Sequence, residues 1–346
     1  MEKTLKKDAF AEWLKKLPSY DVYVPVEDDG RFNYEIVGNA GAIDESFTNA
    51  VVGPKKVVFP QREVLLRFNS TNEKAPEVEE VLPEEKPAVV FGVRPCDARA
   101  VTLTDKVFGG DFADPYYWRR RNNTTLIGLV CTEPPSANCF CTSVGGSPAG
   151  KDGLDVVLTS LGDRYYVETL TTRGEKVVSD GGKVFGEPAA DDKKAAEKVG
   201  TEAAAKVERQ VEGVNDLTEN LRDMFDSPFW DEESLSCIRC GICTYLCPTC
   251  HCFDINDEVL VPVPLTGERV RTWDNCQFPD FTMHSSGHNP RPNRASRLRQ
   301  RILHKFRYFV ENFGDYQCTG CGRCIIYCPV GIDIVDVLDK TAAYER

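Results

Sequence analysis

The chain of 346 residues lacks features that mark several common classes of protein. It has no apolar run approaching the length of a membrane span, so we predict no membrane-spanning segment. The first seventeen residues contain lysines but neither an uninterrupted apolar core nor a small-residue cleavage site. We therefore interpret them as an amphipathic helix rather than a signal peptide, and we predict a cytoplasmic location.

Signatures of nucleotide binding are also missing. No Gly-x-Gly-x-x-Gly follows a predicted strand, which leaves a Rossmann-type site without support. The stretch Gly145–Asp152 comes close to a phosphate-binding loop, but it ends in aspartate where such loops carry serine or threonine. A carboxylate there would repel phosphate and offers no hydroxyl to Mg²⁺. The sequence therefore argues against ATP as a ligand.

Positive charge is in short supply, with 42 Lys and Arg against 54 Asp and Glu and a net charge of −12. This balance speaks against a nucleic-acid partner. Residues 281–310 are an exception, because they hold seven Lys or Arg and no acidic residue. Two interpretations stay open. The basic residues pair with the protein's own carboxylates, or they serve a function, which is either docking of an acidic partner or electrostatic tuning of the clusters.

Cysteine, by contrast, is abundant. The fifteen cysteines are odd in number and cluster at gaps of two and three residues, in a chain longer than small secreted disulfide scaffolds. Eleven of them follow residue 230. This pattern is typical of metal-bound thiolates in a reducing compartment rather than of a disulfide framework.

The strongest pattern is C-x₂-C-x₂-C-x₃-C-P, which occurs twice. The first copy contains Cys237, Cys240, Cys243 and Cys247, and the second contains Cys318, Cys321, Cys324 and Cys328. The two-residue gaps let a tight loop wrap one cubane, whereas the fourth cysteine ligates the other cluster in two-cluster proteins. We therefore predict two [4Fe–4S] clusters with crossed ligands. Cluster 1 takes Cys237, Cys240, Cys243 and Cys328, and cluster 2 takes Cys318, Cys321, Cys324 and Cys247.

Zinc is the alternative occupant of these motifs, since C-x₂-C pairs also suit it. A structural zinc site would not explain a third cysteine and a Cys-Pro ending in both copies. We therefore favour iron–sulfur clusters.

A second group of cysteines lies in the N-terminal half. Ala88–Val93 and Thr125–Val130 read as buried strands, and a helix between them makes a βαβ unit with parallel strands. Cys96 and Cys131 then follow neighbouring strands at one sheet edge, where open α/β sheets bind ligands. A loop brings Cys139 and Cys141 to the same edge. We predict that Cys96, Cys131, Cys139 and Cys141 hold a third iron–sulfur cluster, whose nuclearity the sequence leaves open; small buried residues or a redox-active Cys96 are the alternatives.

The chain divides into three predicted regions. Residues 1–186 form an α/β domain with the third site, residues 187–230 a helical linker, and residues 231–346 a ferredoxin domain that resembles the α-helical type. Within the first region, Asp97 is a candidate cap for the helix Ala98–Val107. The β-rich runs of the first region are Lys56–Phe59, Ala88–Val93, Thr125–Cys131, Asp155–Leu158 and Tyr165–Leu170, and the long helix of the third is Arg294–Val310.

Four further residues stand beside the first motif in the sequence. Cys250, His251 and Cys252 follow it directly, and Cys276 lies downstream. They could bind an extra metal, but a C-x-C pair with one distant cysteine is a weak metal signature. We favour packing beside cluster 1.

Several phrases of the sequence resemble one known family, the iron–sulfur β-subunits of sulfhydrogenases and the A subunit of anaerobic sulfite reductase. These phrases are Phe91-Gly-Val-Arg-Pro-Cys-Asp97, Asp114-Pro-Tyr-Tyr117, Cys131-Thr-Glu-Pro-Pro135, Cys139-Phe-Cys-Thr-Ser143, Cys247-Pro-Thr-Cys-His-Cys-Phe253 and Gly287-His-Asn-Pro-Arg-Pro292. The resemblance implies an electron-transfer subunit of an anaerobic multi-subunit oxidoreductase. It would relay electrons between a flavin-containing, diaphorase-like subunit and a catalytic subunit such as a hydrogenase or sulfite reductase. The alternative function is a thiol or disulfide reductase with its active site at the N-terminal cluster.

Overall fold

The computed structural model describes residues 1–37, 44, 46–70, 75 and 77–344. Its strands are β1 (Glu2–Lys6), β2 (Asp21–Asp28), β3 (Arg31–Ile36), β4 (Arg62–Asn69), β5 (Glu77–Glu80), β6 (Ala88–Val93), β7 (Thr124–Leu129), β8 (Val156–Ser160), β9 (Arg164–Thr169), β10 (Phe185–Gly186), β11 (Phe253–Pro262) and β12 (Leu265–Trp273). Its helices are α1 (Phe10–Lys15), α2 (Lys55–Val58), α3 (Pro95–Phe108), α4 (Pro115–Asn123), α5 (Thr172–Gly181), α6 (Asp192–Ala205), α7 (Leu217–Asn220), α8 (Phe229–Glu233), α9 (Ile242–Tyr245), α10 (Arg294–Leu303), α11 (Phe309–Phe313), α12 (Arg323–Ile326) and α13 (Ile334–Ala343). Short 3₁₀ turns lie at Lys7–Ala9, Gly110–Phe112, Cys141–Val144, Gly182–Val184 and Val214–Asp216, and a π-helical turn, His304–Tyr308, joins α10 to α11.

A large mixed sheet organises the N-terminal half. Among the described residues it has eight strands, in the order β10-β1-β9-β8-β7-β6-β2-β3. The central pairs β2–β6, β6–β7 and β7–β8 are parallel, and the outer pairs are antiparallel. All residues of β6 and β7 are buried, as expected for central parallel strands covered on both faces. The predicted βαβ unit, with parallel neighbours and a connecting helix, is therefore confirmed.

A second, antiparallel sheet joins distant parts of the chain. Its order in the described residues is β11-β12-β4-β5, so the hairpin β11–β12 from the C-terminal third pairs with β4 from the N-terminal half. Arg271 on β12 is buried and donates to the carboxylate of Glu63 on β4, with Nε 3.0 Å from Oε2. The ferredoxin region thus contains a long hairpin in addition to helices, which its resemblance to the α-helical type did not predict.

Two apolar cores underlie this arrangement. The first packs the large sheet against α1, α3 and α5, with Trp13 and Phe91 among its fully buried side chains. The second gathers apolar residues from the segments after residue 210, such as Trp230, Ile302 and Leu338. Phe140 and Val144, beside the N-terminal cysteines, belong to this second core. The loop that carries Cys139 and Cys141 is therefore anchored in the ferredoxin region.

Most predicted elements are present, with three corrections. Lys56–Phe59, read as a strand, is mainly the helix α2, and the first seventeen residues form β1 before the short helix α1. The predicted helix Arg294–Val310 is present but contains a π-helical turn and extends to Phe313.

Within the described residues, no helix is both long and apolar enough to cross a membrane. The three-region division of the chain stays a prediction.

Candidate iron–sulfur centres

The first ferredoxin motif encloses a cavity. Five cysteines, Cys237, Cys240, Cys243, Cys324 and Cys328, line a space of about 610 Å³ that is partly open to solvent. Gly241 lies within the loop at a φ of +78°, and a Cβ there would come within 2.3 Å of Asn275 Nδ2, which donates to the Gly241 carbonyl at 2.7 Å. Glycine is therefore required for the loop to close. Ile302, Ile334 and Val337 line the same cavity and make it largely apolar.

The second motif gathers the other four thiols. Burial raises the pKa of the Cys324 thiol, and the nearby thiols of Cys318, Cys321 and Cys247 raise it further, against the opposing effect of Arg301. Burial also raises the pKa of Cys321, to about 11. Grouped thiols that resist ionisation together are suited to a cationic metal centre, which favours the thiolate form.

In both groups the fourth cysteine lies with the opposite motif. Cys328 lines the cavity of the first motif, and Cys247 lies among the thiols of the second. This is the proximity that crossed ligation requires. No three His, Cys, Asp or Glu side chains in the described part of the chain are placed to hold a single metal ion. Ligation by these cysteines stays a prediction.

The four N-terminal cysteines also meet. Cys96, Cys131, Cys139 and Cys141 line one cavity of about 350 Å³. Cys96 is the second residue of α3, and Cys131 follows β7, where its backbone N–H donates to Pro148 O at 3.0 Å. The neighbouring parallel strands place both at the same sheet edge, as predicted. Burial raises the pKa of the Cys131 thiol.

The second ferredoxin motif packs directly on this N-terminal cavity. Cys321 and Gly320 are part of its lining, and the Phe140 N–H donates to Gly320 O at 2.9 Å. A Cβ on Gly320 would stand 2.5 Å from Cys141 Cα, so only glycine permits this approach. The N-terminal site and the site of cluster 2 are therefore adjacent. The sequence motifs did not predict this arrangement.

A buried ion pair fastens the two sites together. Arg323, in the second motif, binds Asp97 through two hydrogen bonds, Nη1 to Oδ1 at 2.5 Å and Nη2 to Oδ2 at 2.8 Å. Both side chains are at most 2% exposed. Arg323 also donates to Ala50 O at 2.8 Å and Asn49 Oδ1 at 2.6 Å. The prediction that Asp97 caps the helix was wrong, because α3 already begins at Pro95 and Arg94 is its N-cap.

The basic segment 281–310 serves two purposes. Arg294, Arg299 and Arg307 donate to the backbone carbonyls of Leu235, Phe225 and Arg222 on neighbouring segments. Arg297, Arg301 and Lys305 are buried on the side of the cysteine motifs. Because they are buried, these three side chains cannot form a docking surface, and electrostatic tuning of the clusters stays a prediction for them.

The remaining cysteines lie beside the motifs. The Cys250 carbonyl accepts from Lys55 Nζ at 2.9 Å, and the Cys250 thiol is 3.8 Å from Arg301 Nη1. Cys276 Sγ is 3.6 Å from Thr244 Oγ1 and 3.4 Å from Gln277 Nε2. These contacts fit packing beside the clusters, the interpretation favoured from the sequence, which stays a prediction.

Buried donors test whether iron–sulfur clusters fit these sites. Among the described residues, Arg301 Nη2, Thr319 Oγ1, and Arg297 Nε and Nη2 are buried without a hydrogen-bond partner. Buried donors are nearly always satisfied in folded proteins. Cluster sulfides and thiolate ligands accept hydrogen bonds. The residues present thus suit negatively charged sulfur clusters.

Paired cysteine loops with crossed proximity define an iron–sulfur protein of the dicluster class, and the family model described as "4Fe-4S dicluster domain" matches residues 236–332. The comparison with curated proteins extends over nearly the whole chain. It is 31% identical over 341 residues to sulfhydrogenase 2 subunit beta of Pyrococcus furiosus, and the alignment covers 97% of each chain. The chain belongs to the sulfhydrogenase beta-subunit family.

Proposed function

We propose that this chain is the electron-relay subunit of an anaerobic multi-subunit oxidoreductase, with three iron–sulfur clusters in a row. The observation that supports it most is the direct packing of the second ferredoxin motif on the N-terminal cavity, where Cys321 joins Cys96, Cys131, Cys139 and Cys141. Cys247 and Cys328 then link the second motif to the first. The order along the row is N-terminal site, cluster 2, cluster 1.

The chain's own residues set the conditions for transfer. Bound clusters would supply one-electron redox chemistry at potentials set by charge, hydrogen bonds to sulfur and solvent exposure. Cys321 is half-buried and lines the N-terminal cavity, so this predicted ligand of cluster 2 would lie next to the third cluster. Cys240, in the first motif, is exposed. An exposed ligand at one end of the row offers a short path for electrons to a docked partner.

The proposal of partners rests on the family. The relative from Pyrococcus furiosus is, by its name, a subunit of a sulfhydrogenase. We propose that the chain carries electrons between a flavin-containing, diaphorase-like subunit and a catalytic redox subunit, and that it acts in the cytoplasm. Residues 1–186 would contribute the third cluster, residues 187–230 a helical connection, and residues 231–346 the two cubanes.

A second function has one observation in its favour. The N-terminal cavity combines four thiols with several prolines in a concave space next to a redox centre, which would suit a thiol or disulfide reductase. Turnover of a disulfide by the isolated chain, supplied only with a chemical reductant, would favour this reductase. Activity that needs a flavoprotein partner would favour the relay.

The test is anaerobic purification of the native complex, with identification of the copurifying subunits and iron analysis. We expect more than eight irons per chain, and Cys131→Ala should remove only the iron beyond the eight of the two cubanes. Ser147→Ala, in the same cavity lining but without a thiol, is the matched control and should keep the full content. A wild-type chain with zinc and no iron, or a Cys131→Ala chain with unchanged iron, would contradict the proposal of three clusters.

A further inference from the structure

Three buried cations follow one another on the helix that crosses the ferredoxin region. Arg297 and Arg301 lie on α10 and Lys305 in the π-helical turn, at a spacing of four residues that puts them on one face. They are 1%, 5% and 2% exposed. Burying a charged group is costly unless opposite charge compensates it. Something of negative charge must therefore face this row.

Lys305 is aimed at a single predicted ligand. Its Nζ donates to Cys247 Sγ at 3.3 Å, Thr249 Oγ1 at 2.9 Å and Gln317 O at 2.9 Å, which uses all three ammonium protons. Thr249 Oγ1 itself lies 3.2 Å from Cys247 Sγ. Cys247 is the predicted ligand that the first motif gives to cluster 2. A charged donor on this sulfur acts most strongly on that cluster.

Arg301 stands between the two predicted clusters. It lines the cavity of the first motif, and the thiols of Cys243 and Cys324 face it from opposite motifs. Arg297 lies near Cys237 of the first motif and donates to Arg291 O at 2.7 Å. The buried donors of these two arginines that lack a partner could donate to cluster sulfur. The row therefore lies beside thiols of both motifs.

We infer that Arg297, Arg301 and Lys305 are positioning residues that raise the reduction potentials of both clusters, with Lys305 acting mainly on cluster 2. The inference rests on the proposed function, because it requires the two cubanes. The physical reason is that reduction adds negative charge to a cluster, and a nearby buried cation stabilises that charge in a medium of low dielectric constant. Cluster 2, in the middle of the row, would thus hold electrons more readily than it would without Lys305.

Redox titration of the full-length protein, followed by EPR, tests this inference. Lys305→Gln keeps a hydrogen-bond donor but removes the charge, and should make one of the two cubane potentials more negative. At a fixed potential, we expect the ratio of reduced to oxidised cluster 2 to fall at least tenfold, which is 59 mV for a one-electron couple. Lys305→Arg keeps the charge and should therefore have a potential close to that of the wild type. Arg299→Gln is the matched control, since Arg299 lies on the same helix but binds Phe225 O, and should leave both potentials unchanged.

Arg301→Gln, with Arg301→Lys as its charge-conserving partner, provides an independent measurement should Lys305→Gln fail to fold. Loss of the charge at Arg301 should lower both potentials, because this residue faces both motifs. Iron-loaded variants with wild-type potentials would overturn the inference but leave the relay intact. Equal loss of clusters in the Gln and the charge-conserving variants would also overturn it, by assigning these side chains to folding. An iron-free wild-type protein would instead refute the proposed function.

Discussion

Breaking the ion pair between Asp97 and Arg323 should destabilise the protein far more than breaking a surface pair. Asp97→Ala leaves the Arg323 guanidinium buried, at 2% side-chain exposure, and its remaining acceptors within the described part of the chain are Ala50 O and Asn49 Oδ1. Removing one partner of such a pair costs about 3–5 kcal/mol, because the remaining charge is uncompensated. Total stabilities of single domains are about 5–15 kcal/mol, so this is a large fraction.

The assay is anaerobic urea unfolding of the loaded protein, followed by circular dichroism and by cluster absorbance. Asp257→Ala is the control, since Asp257 and Arg269 pair on the surface with side chains 46% and 48% exposed. That variant should lose far less stability, because water and salt screen an exposed pair. In the double variant Asp97→Ala, Arg323→Met, no charge remains buried, so the loss should be smaller than the sum of the single losses. An Asp97→Ala protein as stable as the control would refute the reasoning.

Two further predictions concern the same region and its surroundings. Gly320→Ala should disrupt the contact between the second motif and the Cys139–Cys141 loop, because its Cβ would meet Cys141 Cα at 2.5 Å. Gly314→Ala is the matched control, because Gly314 has a φ of +76° but open space around it. It should cost only the strain of a left-handed backbone, about 1–2 kcal/mol. Equal unfolding midpoints for the two variants would contradict the close contact between Gly320 and Cys141. Burial lowers the pKa of His251 to about 4, whereas an unfolded chain binds that proton near pH 6.5, so stability should fall as the pH drops between these values. His251→Gln should flatten the pH dependence of the unfolding midpoint over this window. The control His284→Gln should not, because His284 is exposed. Equal slopes in the wild type and both variants would count against a buried neutral His251.

The local patterns of the sequence were informative where one physical requirement dominates. Strands β6 and β7 are buried at every position because both of their faces are covered, and their runs of apolar and β-branched residues allowed their type and parallel pairing to be predicted. The cysteine spacing likewise predicted which thiols come together. Lys56–Phe59 was misread as a strand because so short a run of apolar residues fits a short helix as well.

Local sequence patterns could not predict the contacts between segments that are distant along the chain. The hairpin β11–β12 has an edge strand that is exposed along nearly its whole length, so it carries no alternation of buried and exposed positions. Asp97 sits where a capping residue is common, and only the folded chain brings Arg323 to it from 226 positions away. The buried cations of α10 could not be separated by sequence from their surface neighbours, because both kinds are arginine in one basic run.

The pairing of β4 with β12 has a consequence for the protein's biosynthesis. Strand β4 ends at Asn69, but its partner does not begin until Leu265, roughly 200 residues later. At about 5–20 residues per second, the ribosome needs on the order of 10–40 s to supply that partner. The second cysteine motif emerges later still, and crossed ligation would require it before either cubane has its full set of thiolates. Cluster insertion would then be among the final steps of maturation, in a chain whose N-terminal sheet has long since left the ribosome.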